Sequence, residues 1–580
     1  MLKVKLAKTA GFCWGVKRAL DIVMDVSEKV KGTLYTYGPL IHNPQVIEML
    51  ESKNIKVLKD FKSADADNLV IRTHGITPTK RREIKKNGFN INDATCPLVM
   101  KVQSIIKRHA RKGYSTIIAG DKDHAEVEGL LGFTAGRGNV VESLSGVDSL
   151  PYMEMICVVA QTTFDKNLYK KITNLILKRF PHALIFKTTC DTTDERQTEV
   201  INLAKTVDAM IVVGGKNSAN TARLTQISKA SGVPTFFIET EEDIDEKQLN
   251  GFQTVGVTAG ASTPTWMISR VIEKVESIKE RELSRISQFL LFLGRFLVFS
   301  NLYVALGGGV LAYSICPLQY LTPKFSYTFL AFFYFLSMYM LNNFTDREAM
   351  EYNNPVKNTF YEKYKFLFLT LGIISSLVAL VVSFELGSLP FVAVFASTLL
   401  GIFYSVKIIP RDIRLSRYWR LKDIPASKDV FIALAWATIT VFVPFLSQES
   451  IGSFLATSVA FLFVFSLVYT RSLLFDIRDI QGDQLIGRET IPIIIGKEKT
   501  KLYLGVILIM TAVGLFVSGW FNWASSLSFL LLASIGYSVF YLYLFHKRII
   551  SQGVSCDAVV DGQFYLTGLI TLFWMNSFAA

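Results

Sequence analysis

Two hydrophobic rhythms divide the chain near residue 286. Before it, short β-rich runs alternate with helix-compatible stretches. Leu69-Val70-Ile71-Arg72, Thr116-Ile117-Ile118-Ala119, Ile156-Cys157-Val158-Val159, Ala209-Met210-Ile211-Val212-Val213 and Thr254-Val255-Gly256-Val257 read as buried strands. This alternation predicts an α/β fold. Several runs end in loops of small and polar residues, where open α/β sheets hold their ligands. After residue 286 come apolar blocks at 287–313, 325–342, 365–386, 388–406, 429–447, 451–475, 501–519, 523–545 and 560–579. Each is near the roughly 20 residues that cross a bilayer as a helix, so an all-α membrane domain of about nine spans is expected. The charged run from Lys279 to Arg285 marks the change, predicting domains at 1–278 and 290–580 with a linker over 279–289.

A chain of 580 residues also exceeds what one core supports, since single cores stop growing near ~250–300 residues. The net charge of +13 raises the question of nucleic acid, and its distribution answers it. Segment 407–428 holds Lys407, Arg411, Arg414, Arg417, Arg420, Lys422 and Lys428, and segment 471–501 holds Arg471, Arg478, Arg488, Lys497, Lys499 and Lys501. The alternate loops 314–324, 384–389, 446–452 and 518–524 hold only Lys324. Basic residues collect in cytoplasmic loops, so the pattern predicts a multi-pass protein of a bacterial cell membrane with its N-terminal half in the cytoplasm, and no nucleic-acid partner. Met1 to Ala10 is too short and too charged for a secretory signal. Six scattered cysteines do not form a disulfide framework.

Three of those cysteines stand in related loops, Ala10-Gly11-Phe12-Cys13, Asp93-Ala94-Thr95-Cys96 and Lys187-Thr188-Thr189-Cys190, each before a helix-compatible stretch. Their separations of 83 and 94 residues suggest three comparable lobes presenting one thiol each to a shared centre. Three thiolates suit three irons of a cubic iron–sulfur cluster and leave the fourth iron open. Buried cysteines also serve as small hydrophobes, the reading taken for Cys157, Cys316 and Cys556. Three of the six histidines occupy strand-end loops too: His42, His74 and His124. Imidazoles, with Ser218, Asn220 and Ser262 in glycine-rich loops, are suitable donors to a diphosphate, because glycines admit backbone N–H groups close to phosphates.

With Gly11-Phe12-Cys13-Trp14-Gly15-Val16, Gly38-Pro39-Leu40-Ile41-His42-Asn43, Arg72-Thr73-His74-Gly75, Asp93-Ala94-Thr95-Cys96-Pro97, His124-Ala125-Glu126-Val127, Gln161-Thr162-Thr163 and Thr258-Ala259-Gly260-Ala261-Ser262 in order, residues 1 to about 275 resemble the LytB family of 4-hydroxy-3-methylbut-2-enyl diphosphate reductases. The resemblance implies a trefoil of three α/β lobes around one 4Fe–4S cluster held by Cys13, Cys96 and Cys190. It implies reductive loss of the substrate hydroxyl, the last step of the methylerythritol phosphate route, fed by an external one-electron donor of ferredoxin or flavodoxin type. Glu126 would deliver the proton and Thr162 would lie near the substrate hydroxyl, while His42, His74, His124, Ser218, Ala219, Asn220 and Ser262 would bind the diphosphate. Ala219 stands where the family often has a second serine, and its backbone N–H still serves. A closed, phosphate-rich pocket raises the pKa of a carboxyl such as Glu126.

In the second half, carboxylates gather in two loops expected on the cytoplasmic side. Asp476, Asp479 and Asp483 fall at i, i+3 and i+7, so a helix would place them on one face. Hard carboxylates bind Mg²⁺, which carries diphosphates and neutralises a departing one. Asn342-Asn343-Phe344-Thr345-Asp346, followed by Asn353 and Pro355, is the second set. These loops, with the basic segment around Arg420, Lys422 and Lys428 between them, resemble the UbiA-type intramembrane prenyltransferases over about 290–580. The resemblance implies Mg²⁺ and a polyprenyl diphosphate held by Asn342, Asp346, Asp476, Asp479 and Asp483, with Lys422 and Lys428 gripping phosphate oxygens. Asn343 stands where that family usually has an aspartate, and Met350 where it has a third acid, with Glu348 and Glu351 flanking. Three readings stay open: a bifunctional enzyme, a reductase on an inactive membrane anchor, and a membrane-tethered redox sensor. The sensor has no need of the diphosphate loops or Glu126.

Overall fold

The computed structural model describes residues 3–30, 32–59, 67–280, 283–406, 424, 426–448, 453–486, 488–547, 549–550 and 553–578. The chain forms two compact units, Met1–Glu282 and Leu283–Ala580.

The strands of the first unit are β1 (Lys3–Leu6), β2 (Leu34–Tyr37), β3 (Ile55–Val57), β4 (Asn68–Ile71), β5 (Asn90–Asp93), β6 (Ser115–Ala119), β7 (Gly138–Val141), β8 (Ile156–Ala160), β9 (Leu184–Ile185), β10 (Ala209–Val213), β11 (Thr235–Ile238) and β12 (Thr254–Ala259). Its helices are α1 (Trp14–Lys29), α2 (Pro44–Ser52), α3 (Pro78–Lys86), α4 (Pro97–Ala110), α5 (Ala125–Leu131), α6 (Lys166–Arg179), α7 (Asp191–Ala204), α8 (Ala219–Ala230), α9 (Glu246–Leu249) and α10 (Thr265–Glu280). The strands form three four-stranded sheets, ordered β3-β2-β4-β5, β7-β6-β8-β9 and β11-β10-β12-β1, and every pairing is parallel.

Parallel sheets are covered on both faces, so their inner strands read as unbroken apolar runs. Accordingly β8 and β10 are buried at every position. Successive side chains still face opposite ways: Ile117, Ala119, Val158 and Ala160 enter one core with Ile172 and Ile176 of α6, while Ile118 and Val159 enter another with Val102 and Ile106 of α4.

The three sheets are equivalent strand for strand, and the site residues follow that equivalence. The edge strands β5, β9 and β1 lead to Cys96, Cys190 and Cys13. The strands β2, β6 and β10 lead to His42, His124 and Ser218, and β4, β8 and β12 lead to His74, Thr162 and Ser262. The expectation of a three-lobed α/β fold holds, with one feature the sequence does not announce. The last lobe takes its fourth strand from the first residues of the chain, Lys3 pairing with Thr254.

The second unit is helical: α11 (Arg285–Phe299), α12 (Leu302–Ser314), α13 (Phe325–Thr345), α14 (Arg347–Asn353), α15 (Pro355–Lys363), α16 (Lys365–Glu385), α17 (Ser388–Ser405), α18 (Lys428–Ala437), α19 (Val443–Leu446), α20 (Phe454–Leu485), α21 (Ile491–Ile495), α22 (Lys497–Trp520), α23 (Leu527–His546) and α24 (Val554–Phe578). Among the described residues eight helical segments, not nine, are long and apolar enough to cross a membrane. The block 287–313 is two helices, because Asn301 adopts φ +60 and breaks the run between α11 and α12. The block 325–342 is helix α13, whose tyrosines, serines and asparagines keep it outside the eight. Between α18 and α19 a π-helical turn spans Thr438–Phe442 ahead of Pro444. The 32-residue α20 runs on past residue 475, so the second acidic motif lies in a helix rather than in a loop.

Candidate active sites

Cys13, Cys96 and Cys190 are the N-cap residues of α1, α4 and α7, and none spends its side chain on the cap. Three helix N-termini therefore lie at the three thiols. The backbone bonds repeat from lobe to lobe: Cys13 N donates to Ala261 O at 3.1 Å, Cys96 N to Thr73 O at 2.9 Å and Cys190 N to Thr162 O at 2.8 Å. Each thiol is thus hung from the loop after the neighbouring strand. Burial pushes the Cys96 thiol up, and the other two cysteines add to the shift. Three half-buried cysteines brought together from three lobes form a donor set that suits a thiophilic metal centre.

The space between them also fits such a centre. A Cβ on Gly15 would stand 2.8 Å from the Cys96 sulfur and 3.9 Å from that of Cys13. Gly15→Ala is expected to weaken cluster retention about tenfold or more, as displaced ligand geometry does at metal sites. Iron per chain after anaerobic purification reads the effect, and parent-like iron would refute it.

Above the thiols the three imidazoles converge. Ring centroids lie 4.8 Å apart for His42 and His74, 5.4 Å for His74 and His124, and 6.2 Å for His42 and His124. One nitrogen from each lies within 4.8 Å of the others. His124 Nδ1 accepts from Glu126 N at 3.1 Å, which leaves the Nε2 proton of the neutral ring free to donate. Ser262 Oγ donates to His42 O at 3.2 Å, and a Cβ on Gly215 would meet that same carbonyl at 3.0 Å. Both glycine-rich loops thus close onto the His42 loop. Asn220 is buried with neither amide atom partnered, and Ala219 opens α8 behind the cap residue Ser218. Asn43, His124 and Ser218 cap α2, α5 and α8, so three helix N-termini and three imidazoles surround a space suited to an anion.

Burial, with Arg72 or the neighbouring imidazoles adding, holds His42, His74 and His124 below the ordinary histidine range. The triad by itself is neutral at pH 7, and a diphosphate placed on it raises those values. Binding of inorganic diphosphate is therefore expected to take up protons between pH 6 and 8. Calorimetry in buffers of different ionisation enthalpy measures the uptake; a heat independent of buffer would contradict it.

Glu126 is 2 % exposed. Its carboxyl accepts from Thr162 N at 2.7 Å and from Thr162 Oγ1 at 2.9 Å. Burial pushes it up to about 7, against those two hydrogen bonds. A carboxyl so placed carries a transferable proton at neutral pH.

In the helical unit, Asp476 is 0 % and Asp483 1 % exposed. Asp476 Oδ1 pairs with Lys428 Nζ, and Asp483 Oδ1 accepts from Asn353 Nδ2 at 3.0 Å. Their second oxygens, like one oxygen of buried Asp429, have no protein partner. Unengaged carboxylate oxygens are hard donors of the kind that suits Mg²⁺. Arg488 joins the two acidic motifs, donating to Asp346 Oδ1 and lying 4.0 Å from Asp483 Oδ1. Asn342 lies one turn before Asp346, whose N–H it accepts.

Asp479 stays within about 60° of Asp476 and Asp483 around α20, with its carboxylate already engaged. It pairs with Arg478, which also binds Asp557 of α24. Arg471, one heptad earlier, pairs with Asp561 of the same helix. At ~100° per residue, positions 471 and 478 share one side of α20 and 476 and 483 another. Lys422 lies outside the described residues. Met350 is buried in the hydrophobic core while Glu348 and Glu351 are exposed, so neither glutamate replaces the missing acid. Asp429 and Arg488 are members that the motif spacing did not assign to the site, whereas Asn353 stood with the first motif from the start. Their signals are faint: an acid beside Lys428 at the start of an apolar run, and a single basic residue after the second motif.

The LytB protein family model matches residues 4–276, and the UbiA prenyltransferase family model matches 365–557. The 4-hydroxy-3-methylbut-2-enyl diphosphate reductase of Opitutus terrae is 41 % identical over 289 residues, covering 48 % of this chain and all of its own. That of Geobacter sulfurreducens is 40 % identical over 281 residues, with 48 % and 99 % covered. A solved UbiA homologue from Archaeoglobus fulgidus, bound to GPP and Mg²⁺, covers 48 % of this chain and 99 % of its own at 15 % identity and a TM-score of 0.35. The three equivalent sheets and the motifs at their strand ends thus have full-length counterparts at some 40 % identity, and the chain belongs to the LytB family through its first half, with a domain of the UbiA prenyltransferase family behind it.

Proposed function

We propose that the N-terminal domain removes the hydroxyl of 4-hydroxy-3-methylbut-2-enyl diphosphate reductively. With two electrons and two protons the products are water and isopentenyl or dimethylallyl diphosphate. The single observation carrying this reading is Glu126, a buried carboxyl near pKa 7 bound to Thr162, whose loop also hangs Cys190. A proton donor is thereby set beside the thiols and the imidazole cradle. Bound to Cys13, Cys96 and Cys190, a 4Fe–4S cluster supplies electrons singly and an open iron for the hydroxyl. His42, His74, His124, Ser218, Asn220, Ser262 and the Ala219 N–H bind the diphosphate and hold the carbon skeleton toward the thiols. Thr162 orients the Glu126 proton at the departing oxygen. A ferredoxin- or flavodoxin-type protein is the proposed electron source.

For the C-terminal domain we propose prenyl transfer from a polyprenyl diphosphate, on the cytoplasmic side of a multi-pass membrane protein. The orphaned oxygens of Asp476, Asp483 and Asp429 favour an enzyme over an anchor, since unsatisfied carboxylate oxygens buried in a membrane domain are costly. Mg²⁺ bound there would neutralise the leaving diphosphate. Lys428 and Arg488 keep those carboxylates in place. Anaerobic purification of the full chain, iron and sulfide analysis, and assay of both half-reactions test the two readings. Absence of iron sinks the first, and absence of transfer sinks the second.

A further inference from the structure

Arg196, on the second turn of α7, is 3 % exposed. Its Nη1 donates to Ala259 O at 3.1 Å and its Nη2 to Gly11 O. Both acceptors are carbonyls, which satisfy hydrogen atoms but do not cancel a charge. Its Nε is buried and has no partner. Glu199, whose charge also acts on the guanidinium, makes its hydrogen bonds elsewhere, accepting from Thr9 N at 2.8 Å and Thr9 Oγ1 at 2.6 Å. Cys13 and Cys190 are the other groups whose negative charge acts on the guanidinium.

A buried cation with no direct ion pair is costly, and its cost falls when thiolate-bound anionic charge is placed beside it. We propose that Arg196 is a positioning residue that sets the reduction potential of the centre held by Cys13, Cys96 and Cys190. Its two carbonyl bonds fix the guanidinium between the Gly11 loop and the end of β12, with the Nε proton left for a sulfur. A fixed positive charge in a low-dielectric site stabilises the more negative, reduced state, so it raises the potential. The catalytic steps require that reduced state, yet Arg196 needs no contact with substrate. This inference rests on the cluster reading above, which iron and sulfide analysis of the parent tests separately.

The experiment is a redox titration, followed by electron paramagnetic resonance, of the full chain purified anaerobically in detergent. Arg196→Gln is expected to keep its iron and sulfide, to titrate at a more negative potential, and to lose about tenfold in kcat with KM nearly unchanged. Arg196→Lys, which keeps the charge but not the fork, is expected to titrate near the parent. A Gln variant with the parent's potential overturns the proposal. So does a Lys variant displaced as far as the Gln variant, which would mark Arg196 as a structural clip. If the Gln variant takes up no iron, the Lys variant decides: a parent-like potential supports the assignment and a displaced one refutes it.

Discussion

Glu126→Gln is expected to abolish reduction of the diphosphate substrate and, in the same protein, to stabilise the N-terminal domain at alkaline pH. The two effects have one origin. The carboxyl is buried and its pKa stands near 7, against 4.5 for an ordinary glutamate. A folded state that binds a proton more tightly than the unfolded chain is fully stabilised below the unfolded pKa. That stability is lost as pH rises through the folded one. Between pH 4.5 and 7 the loss accumulates to about 3 kcal/mol. Glutamine keeps the shape and a hydrogen-bonding oxygen for Thr162 but cannot ionise, so its stability should be flat across this range. It also cannot give a proton, and removal of a general acid costs about 10²–10⁴ in rate. Denaturant unfolding of parent and variant at pH 5 and pH 8 measures the first effect, and single-turnover substrate loss the second. A variant that keeps the parent's pH slope would show that another group titrates.

Asp476→Ala and Asp483→Ala should each abolish prenyl transfer while leaving reduction by the same preparation unchanged. Each aspartate has one oxygen engaged within the protein and one unengaged, so removal deletes a ligand and unbalances a neighbour. For Asp476 that neighbour is Lys428, left as an unpaired cation, and a stability loss accompanies the activity loss. Asp483→Asn separates the two, since it preserves volume and its amide oxygen can still face Asn353. We expect transfer to fall at least about 100-fold in Asp483→Asn with unaltered thermal unfolding, because ligand charge dominates divalent-cation binding. Transfer within twofold of the parent in all three variants would return the domain to the status of an anchor. The reductase assay in each preparation controls for damage in purification.

The reductase site was legible because parallel strands write themselves as solid apolar runs, and the loops after them carry the chemistry. His74 and Cys96 follow β4 and β5 within three residues, and a reader of the sequence meets each just after its strand. What could not be read is the pairing of Lys3 with Thr254, which has no local signature, and hence the strand-for-strand equivalence of the lobes. Arg196 escaped for a related reason: its acceptors, Gly11 and Ala259, are distant in sequence and are backbone atoms. In the membrane domain, apolarity continues through Leu297 to Tyr303 and hides the break at Asn301. It also stops before α20 does, because helix formation outlasts hydrophobicity on Arg478, Asp479 and Gln481. Met350 looked like a lost ligand and is a core residue. A motif scan does not distinguish an absent ligand from an occupied core position.

The strand that closes the trefoil has a consequence for how the protein is made. Chains emerge from the ribosome N-terminus first, and domains tend to fold as they appear. Here β1 leaves before every other strand of its unit, yet its one pairing partner among the described residues is β12. The Cys13 loop therefore has no Ala261 carbonyl to hang from until nearly the whole reductase domain has been translated. Pairing at such separation is slow to form, so the proposed centre on Cys13, Cys96 and Cys190 would be completed late on the nascent chain. That step falls close to the moment when α11 and α12, beginning at Arg285 and Leu302, present the first apolar helices for insertion.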